Sequence, residues 1–97
     1  MNQLEVLRES LGQCDEIILD ALLMRNRIVE DIMVYKEANN VPILQPEQEA
    51  KQREWLNRRM EGRRHKDEVS DVFECIRTNS KRIQARKLFN YNIVLIG

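Results

Sequence analysis

Little in this chain would interrupt a helix. Its glycines are Gly12, Gly62 and Gly97 and its prolines are Pro42 and Pro46. A backbone with so few flexible or donor-less positions favours long helices over a sheet with many turns, so the expected fold class is all-α. Aromatic residues make up 5% of the chain, and Trp55 is the one aromatic near the first basic run, which with no RNA-binding signature argues against nucleic acid. An excess of one charge sign is missing too. Lys and Arg number 16 and Asp and Glu 16, so no overall field points to nucleic acid or a membrane surface. The two cysteines, Cys14 and Cys75, fit no metal or redox spacing and read as small buried hydrophobes in a reducing compartment. No apolar run approaches membrane-spanning length, and MNQLEVLRES lacks the charged-then-apolar order of a signal segment. A cytoplasmic location is expected. The single histidine, His65, lies in a basic run and neither cysteine has a partner nearby, so triad chemistry has nothing to use. With no metal cluster and no phosphate-cradling glycine loop either, most hydrolase mechanisms are excluded.

What the chain does have is a stripe. Leu4, Leu7, Leu11, Cys14, Ile18, Ala21, Arg25, Ile28, Ile32 and Tyr35 advance by alternating steps of three and four. That spacing describes a long helix packed lengthwise against another helix. One member, Arg25, is a guanidinium, and taking it out of water costs several kcal/mol unless something anionic meets it. Two readings follow: a buried salt bridge to an acid elsewhere, or a pocket for an anionic ligand inside a helical bundle.

The first helix is expected from about Leu4 to Glu37, ended by Asn39-Asn40-Val41-Pro42, because the residue before proline avoids helical geometry. A helix of some thirty-five residues is roughly 50 Å long, much longer than a globule of this mass is wide, so a second chain is expected to cover it. Pro46 suits the first turn of a second helix, with Glu47 and Glu49 at the positive end of its dipole. That helix runs to about Met60 or Gly62 and faces inward through Glu49, Gln52 or Arg53, Leu56 and Met60. Asp67 is the expected N-cap of a third helix reaching about Asn90, with a seam of Val69, Val72, Phe73, Ile76, Ser80, Ile83 or Gln84, and Leu88. Arg58, Arg59, Arg63, Arg64, His65 and Lys66 form one basic run and Lys81, Arg82, Arg86 and Lys87 another, read as a solvated helix face and a basic helix C-terminus. The whole, residues 1–97, is expected to be one domain with a helical core over about 4–90. The apolar tail 91–97, with Ile93, Val94, Leu95 and Ile96, needs cover, from the chain's own bundle or from a partner protein.

Polar residues interrupt all three stripes: Arg25 and Lys36, then Gln48 and Glu49, then Ser80 and Gln84. Eleven residues on a helix differ by only about 20° in azimuth, so Arg25 and Lys36 share a face. Ser80 and Gln84 are neighbours at a spacing of four, as are Gln45 and Glu49. Scattered core salt bridges rarely place an amide and a hydroxyl on the same stripe, which favours the pocket. Cations, one carboxylate, an amide and a hydroxyl suit a small dicarboxylate that also carries a hydroxyl or amine. Catalysis there would be positioning and electrostatics.

These residues resemble the AroQ-type, all-helical chorismate mutases. The matching strings are Leu7-Arg8 with Asp15, Leu22-Leu23-Met24-Arg25, Tyr35-Lys36, Val41-Pro42-Ile43, Gln45-Pro46-Glu47-Gln48-Glu49, and Phe73, Ile76, Ser80 and Gln84. The resemblance runs from about Leu4 to Gln84. It implies a Claisen rearrangement of chorismate to prephenate with no cofactor, no metal and no covalent intermediate, in an intertwined helical homodimer. It also implies roles: Arg8 of the partner subunit, Arg25 and Lys36 hold the two carboxylates, Lys36 and Gln84 donate to the ether oxygen, Ser80 assists a carboxylate, and Glu49 accepts from the C4 hydroxyl. Arg8 lies roughly 25 Å along the axis from Arg25 and about 100° around it, too far to share a site within one chain. The family usually carries arginine directly before the helix-two glutamate, where this chain has Gln48. That departure fits either a less efficient chorismate mutase or a substrate of lower negative charge, 4-amino-4-deoxychorismate. A catalytically silent helical dimer module is the reading from outside the enzyme class.

Overall fold

The computed structural model describes the backbone over residues 2–96 and the side chains over residues 2–87. Three helices account for nearly all of it: α1, Gln3–Asn39, α2, Pro46–Arg59, and α3, Lys66–Ile96. No strand occurs among the described residues. Helix α1 opens where the Asn2 side chain accepts a hydrogen bond from the Glu5 amide at 2.8 Å, satisfying one of the free donors of the first turn. It closes at Asn40, whose left-handed φ of 55° is a conformation asparagine tolerates better than most residues. Val41 N then donates to Lys36 O at 2.9 Å and Pro42 prevents continuation. Pro46 starts α2 as expected, with Glu47 and Glu49 in its first turn.

The start of α3 differs from expectation. Asp67 lies inside the first turn, not at the cap. His65 takes a left-handed φ of 64° and its carbonyl accepts from Val69 N at 3.0 Å. The far end differs as well, because α3 continues to Ile96. The run Lys81–Lys87 is therefore interior to the helix and complements no C-terminal dipole. How Leu88 and the tail Ile93–Ile96 pack lies outside the described side chains.

The three helices make a slab of 59 × 31 × 15 Å, whose thinnest dimension holds a single layer of helices. The radius of gyration is 17.7 Å, against about 12.5 Å for a globular domain of this length. Helices α1 and α3 run the same way, since Arg25 meets Ser80 and Lys36 meets Gln84. Helix α2 runs opposite to α3: Glu49 meets Lys81 and Arg53 meets Glu74. Trp55 packs edge-on to Phe73 with centroids 6.1 Å apart, and Arg59 lies 5.6 Å over the Trp55 ring. The other residues of the first basic run are exposed, the solvated face that was expected.

Among the described residues of one chain, the buried apolar side chains are Val29, Met33 and Leu56, and the buried polar ones are Lys36, Arg77, Ser80 and Gln84. The stripe read from the sequence is elsewhere. Leu4, Leu7, Leu11, Ile18, Ile28, Ile32 and Tyr35 are all exposed. Val29 and Met33 each lie one residue on from Ile28 and Ile32, so the face α1 turns to α3 is rotated by about 100° from the expected seam. Val72, expected inward on α3, is exposed as well. Both cysteines are free and exposed, contrary to the buried reading: Cys14 lies on the uncovered stripe of α1, and Cys75 points outward from α3.

A candidate active site between the three helices

A cleft of about 280 Å³ opens where α1, the 40–45 loop, α2 and α3 meet. Arg25, Lys36, Gln45, Gln48, Glu49, Ser80 and Gln84 all line it. The eighth residue singled out, Arg8, is exposed near the start of α1 and is not part of this lining. The cleft also takes in Val29, Ile32, Ile43, Gln52, Arg77 and Lys81. Arg77 and Lys81 had drawn no expectation of a site. Arg77 is three residues from Glu74 and looks like half of a surface ion pair, while Lys81 sits in a basic run. Their spacing to Ser80 and Gln84, one helical turn in each case, was the available signal.

Each group is placed by its helix. Arg25, half-buried on α1, donates to Ser80 Oγ, whose own O–H donates to Ile76 O at 2.9 Å. Its pKa is lowered from the ordinary guanidinium value, first by burial and then by the positive charge of Arg77. Lys36, in the last turn of α1, donates to Ile43 O at 3.0 Å and to Gln84 Oε1 at 2.8 Å. An ammonium has three N–H donors, so one remains. Because Lys36 has no acceptor to offer, it fixes the Gln84 amide with its oxygen toward the ammonium, leaving the NH2 as a second free donor. Burial lowers the Lys36 pKa as well.

On the opposite wall, Glu49 pairs with Lys81 at 2.9 Å. That hydrogen bond, aided by the charges of Lys81, Arg53 and Arg77, outweighs desolvation and holds the carboxyl below the usual carboxylate range. Glu74 receives Arg77 Nη2 at 2.7 Å and Arg53 through two contacts of 2.7 and 3.2 Å. Its pKa falls to about 2 because Arg53 and then Arg77 hydrogen-bond the ionised form.

The charge balance decides between the two readings of Arg25. The chain as a whole carries no net formal charge, yet four cations of the lining, Arg25, Lys36, Arg77 and Lys81, face one carboxylate, Glu49. Lys81 is neutralised by Glu49 and Arg77 touches Glu74. Arg25 and Lys36 hydrogen-bond only neutral groups. Desolvated cations without an acid partner attract an anion, and among the described residues Arg25 is not half of an internal salt bridge. Among the described residues no cluster of His, Cys, Asp or Glu could hold a metal ion, and no helix is long and apolar enough to cross a membrane.

The sequence matches the family described as chorismate mutase type II over residues 7–85. Neither a curated protein nor a solved structure matches it. The matched span contains every residue of the cleft lining as well as Arg8. This all-helical chain belongs to the chorismate mutase type II family, a family of isomerases.

Proposed function

We propose that this protein rearranges chorismate to prephenate. The observation that carries the reading is the pair of desolvated cations, Arg25 and Lys36, whose partners within the chain are all neutral. The reaction is intramolecular: the ether C–O bond breaks as a C–C bond forms, and nothing enters or leaves. It needs no nucleophile and no proton transfer, which suits a cleft built of fixed donors. Arg25, assisted by Ser80, holds one carboxylate, and Lys36 with Arg8 of the partner subunit holds the other. The free Gln84 NH2 and the remaining Lys36 N–H point at the ether oxygen. Negative charge grows there as the C–O bond lengthens, so these donors bind the transition state more tightly than the substrate. Glu49 accepts from the C4 hydroxyl, and Gln45 and Gln48 complete the wall on the α2 side.

The reading includes a homodimer. Helix α1 exposes Leu4, Leu7, Leu11, Ile18, Ile28 and Ile32 along one stripe, and a slab one helix deep offers them nothing within the chain. Pairing of two such stripes covers them and brings Arg8 of the partner subunit to the open side of the cleft.

Gln48 keeps 4-amino-4-deoxychorismate in view as an alternative substrate. The Lys81–Glu49 pair weighs against it, because a C4 ammonium would have to displace Lys81, whereas a hydroxyl donates to Glu49 without exchanging charge. Loss of chorismate absorbance, with the 4-amino compound assayed alongside, tests the proposal. Chorismate is expected to turn over faster. A faster amino compound would reverse the substrate assignment, and turnover of neither would leave a silent helical module.

A further inference from the structure

We propose that Arg77 is a substrate-binding residue of this cleft, its Nε–H donating to an oxygen of the anionic ligand that Arg25 also meets. The inference rests on the mutase reading for the identity of the ligand, and on geometry for the role of Arg77.

Arg77 is only 6% exposed, and Glu74 accounts for one part of it, Nη2, at 2.7 Å. Its Nε is buried and is the one buried side-chain nitrogen or oxygen among the described residues with no hydrogen-bond partner. A strut to Glu74 explains neither fact. Glu74 itself is about half exposed, so an arginine serving only that carboxylate could stay at the surface and keep its remaining N–H groups in water. Burying a charged donor without an acceptor costs free energy unless a ligand supplies one. An anionic oxygen is the acceptor such a group binds best.

The surroundings agree. Arg77 lines the same cleft as Arg25, Lys36, Ser80 and Gln84, one helical turn from Ser80. It lies close enough to Arg25 for the two like charges to oppose each other, a juxtaposition that an anion between them relieves. Glu74 grips Arg53 of α2 and Arg77 of α3 together, which fixes the guanidinium before any ligand arrives. Across the cleft α2 offers Gln48, a neutral amide. The cation absent from that wall stands on α3 instead, so the cleft keeps its preference for a dianion over a substrate bearing an ammonium.

The test uses the full-length protein and two readouts: steady-state kinetics with chorismate, and calorimetric binding of prephenate. Arg77→Met keeps the apolar stem and removes the charge. It is expected to raise KM and the prephenate Kd by about 30-fold while kcat changes less than about threefold, as for a contact made equally in ground and transition states. Arg77→Lys, with the charge but no Nε–H, should fall between, at about fivefold. Adding Gln48→Arg to Arg77→Met should recover most of the loss, because a cation is what was removed; a purely structural strut would not be rescued from across the cleft. Unchanged KM and Kd in Arg77→Met, or no recovery in the double variant, overturns the proposal. If Arg77→Met does not fold, an Arg77→Lys protein indistinguishable from the parent does the same. A parent that binds prephenate but does not turn over chorismate sinks the mutase reading, while loss of that binding in Arg77→Met upholds this one. A parent that does neither sinks both.

Discussion

Over residues 2–21 every side chain of helix α1 is exposed, whereas further along the same helix buries Val29, Met33 and Lys36 and half-buries Leu22, Arg25 and Asn26. The exposed half turns Leu4, Leu7, Leu11, Ile17, Ile18 and Leu19 outward. The buried half turns cations inward. This inverts the usual rule that apolar groups are covered and charges are not, and each half accounts for the inversion differently. The apolar half lacks a neighbour that a second chain can supply, and the polar half lacks a counter-charge that a ligand can supply. On the proposed reading, one helix carries two unmet requirements, assembly at one end and an anion at the other.

The contrast can be broken from either end. The largest effect is expected from Arg25→Ala, which removes the cation with no acid partner: about 5 kcal/mol of transition-state binding, or several thousand-fold in kcat/KM, with helicity and self-association intact by circular dichroism and sedimentation. Activity within about tenfold of the parent, a loss of only about 1.4 kcal/mol, would place the anion site elsewhere. Next comes Leu11→Asp on the exposed half. Losing roughly 2 kcal/mol of burial in each of two chains should raise the dimer dissociation constant about a thousandfold, read by sedimentation, and make turnover depend on protein concentration. A Leu11→Asp protein that stays dimeric would mean that this stripe is not the interface.

A third prediction sharpens the polar end. Gln84 needs no proton to donate, and Glu49 stays ionised because its pKa is depressed, so the parent rate should be nearly flat between about pH 6 and 8. Lys36 loses its charge as pH rises, and its pKa is lowered, so the alkaline decline should begin below the ordinary lysine range. Gln84→Glu donates only when protonated and should lose about 100-fold at about pH 8, recovering as pH falls toward the carboxyl pKa. A flat profile for this variant would remove Gln84 from the chemistry. The smallest effect, about 1 kcal/mol, is expected for Asn2→Ala, which deletes the cap of the uncovered end. Thermal unfolding monitored by dichroism measures it.

Much of this was legible in the sequence, and the reasons are local. Pro42 and Pro46 bracket the loop between α1 and α2, and the spacing of Arg25, Lys36, Ser80 and Gln84 brings them to one cleft once helices are assumed. Three features were not legible. His65 in the left-handed region displaces the start of α3 from Asp67, and although histidine is enriched there, only a few per cent of non-glycine residues adopt that conformation. The face of α1 turned toward α3 is offset from its best apolar stripe, because apolar residues surround the helix and periodicity alone does not tell a cover within the chain from one between chains. Arg77 gives no such signal because an arginine three residues from a glutamate is usually a solvated pair; its 6% exposure is a property of the folded chain that spacing does not carry.

The 15 Å thickness of the slab has a thermodynamic corollary. A molecule with so thin an interior has its cleft at its boundary, and the proposed dimer completes that boundary with Arg8 of the partner subunit. Ligand binding and self-association then share one free energy: whatever factor the second chain adds to ligand affinity, the ligand returns to dimer affinity. Substrate would act as an assembly factor, so the population of competent dimers at low protein concentration would rise with the supply of the molecule they consume.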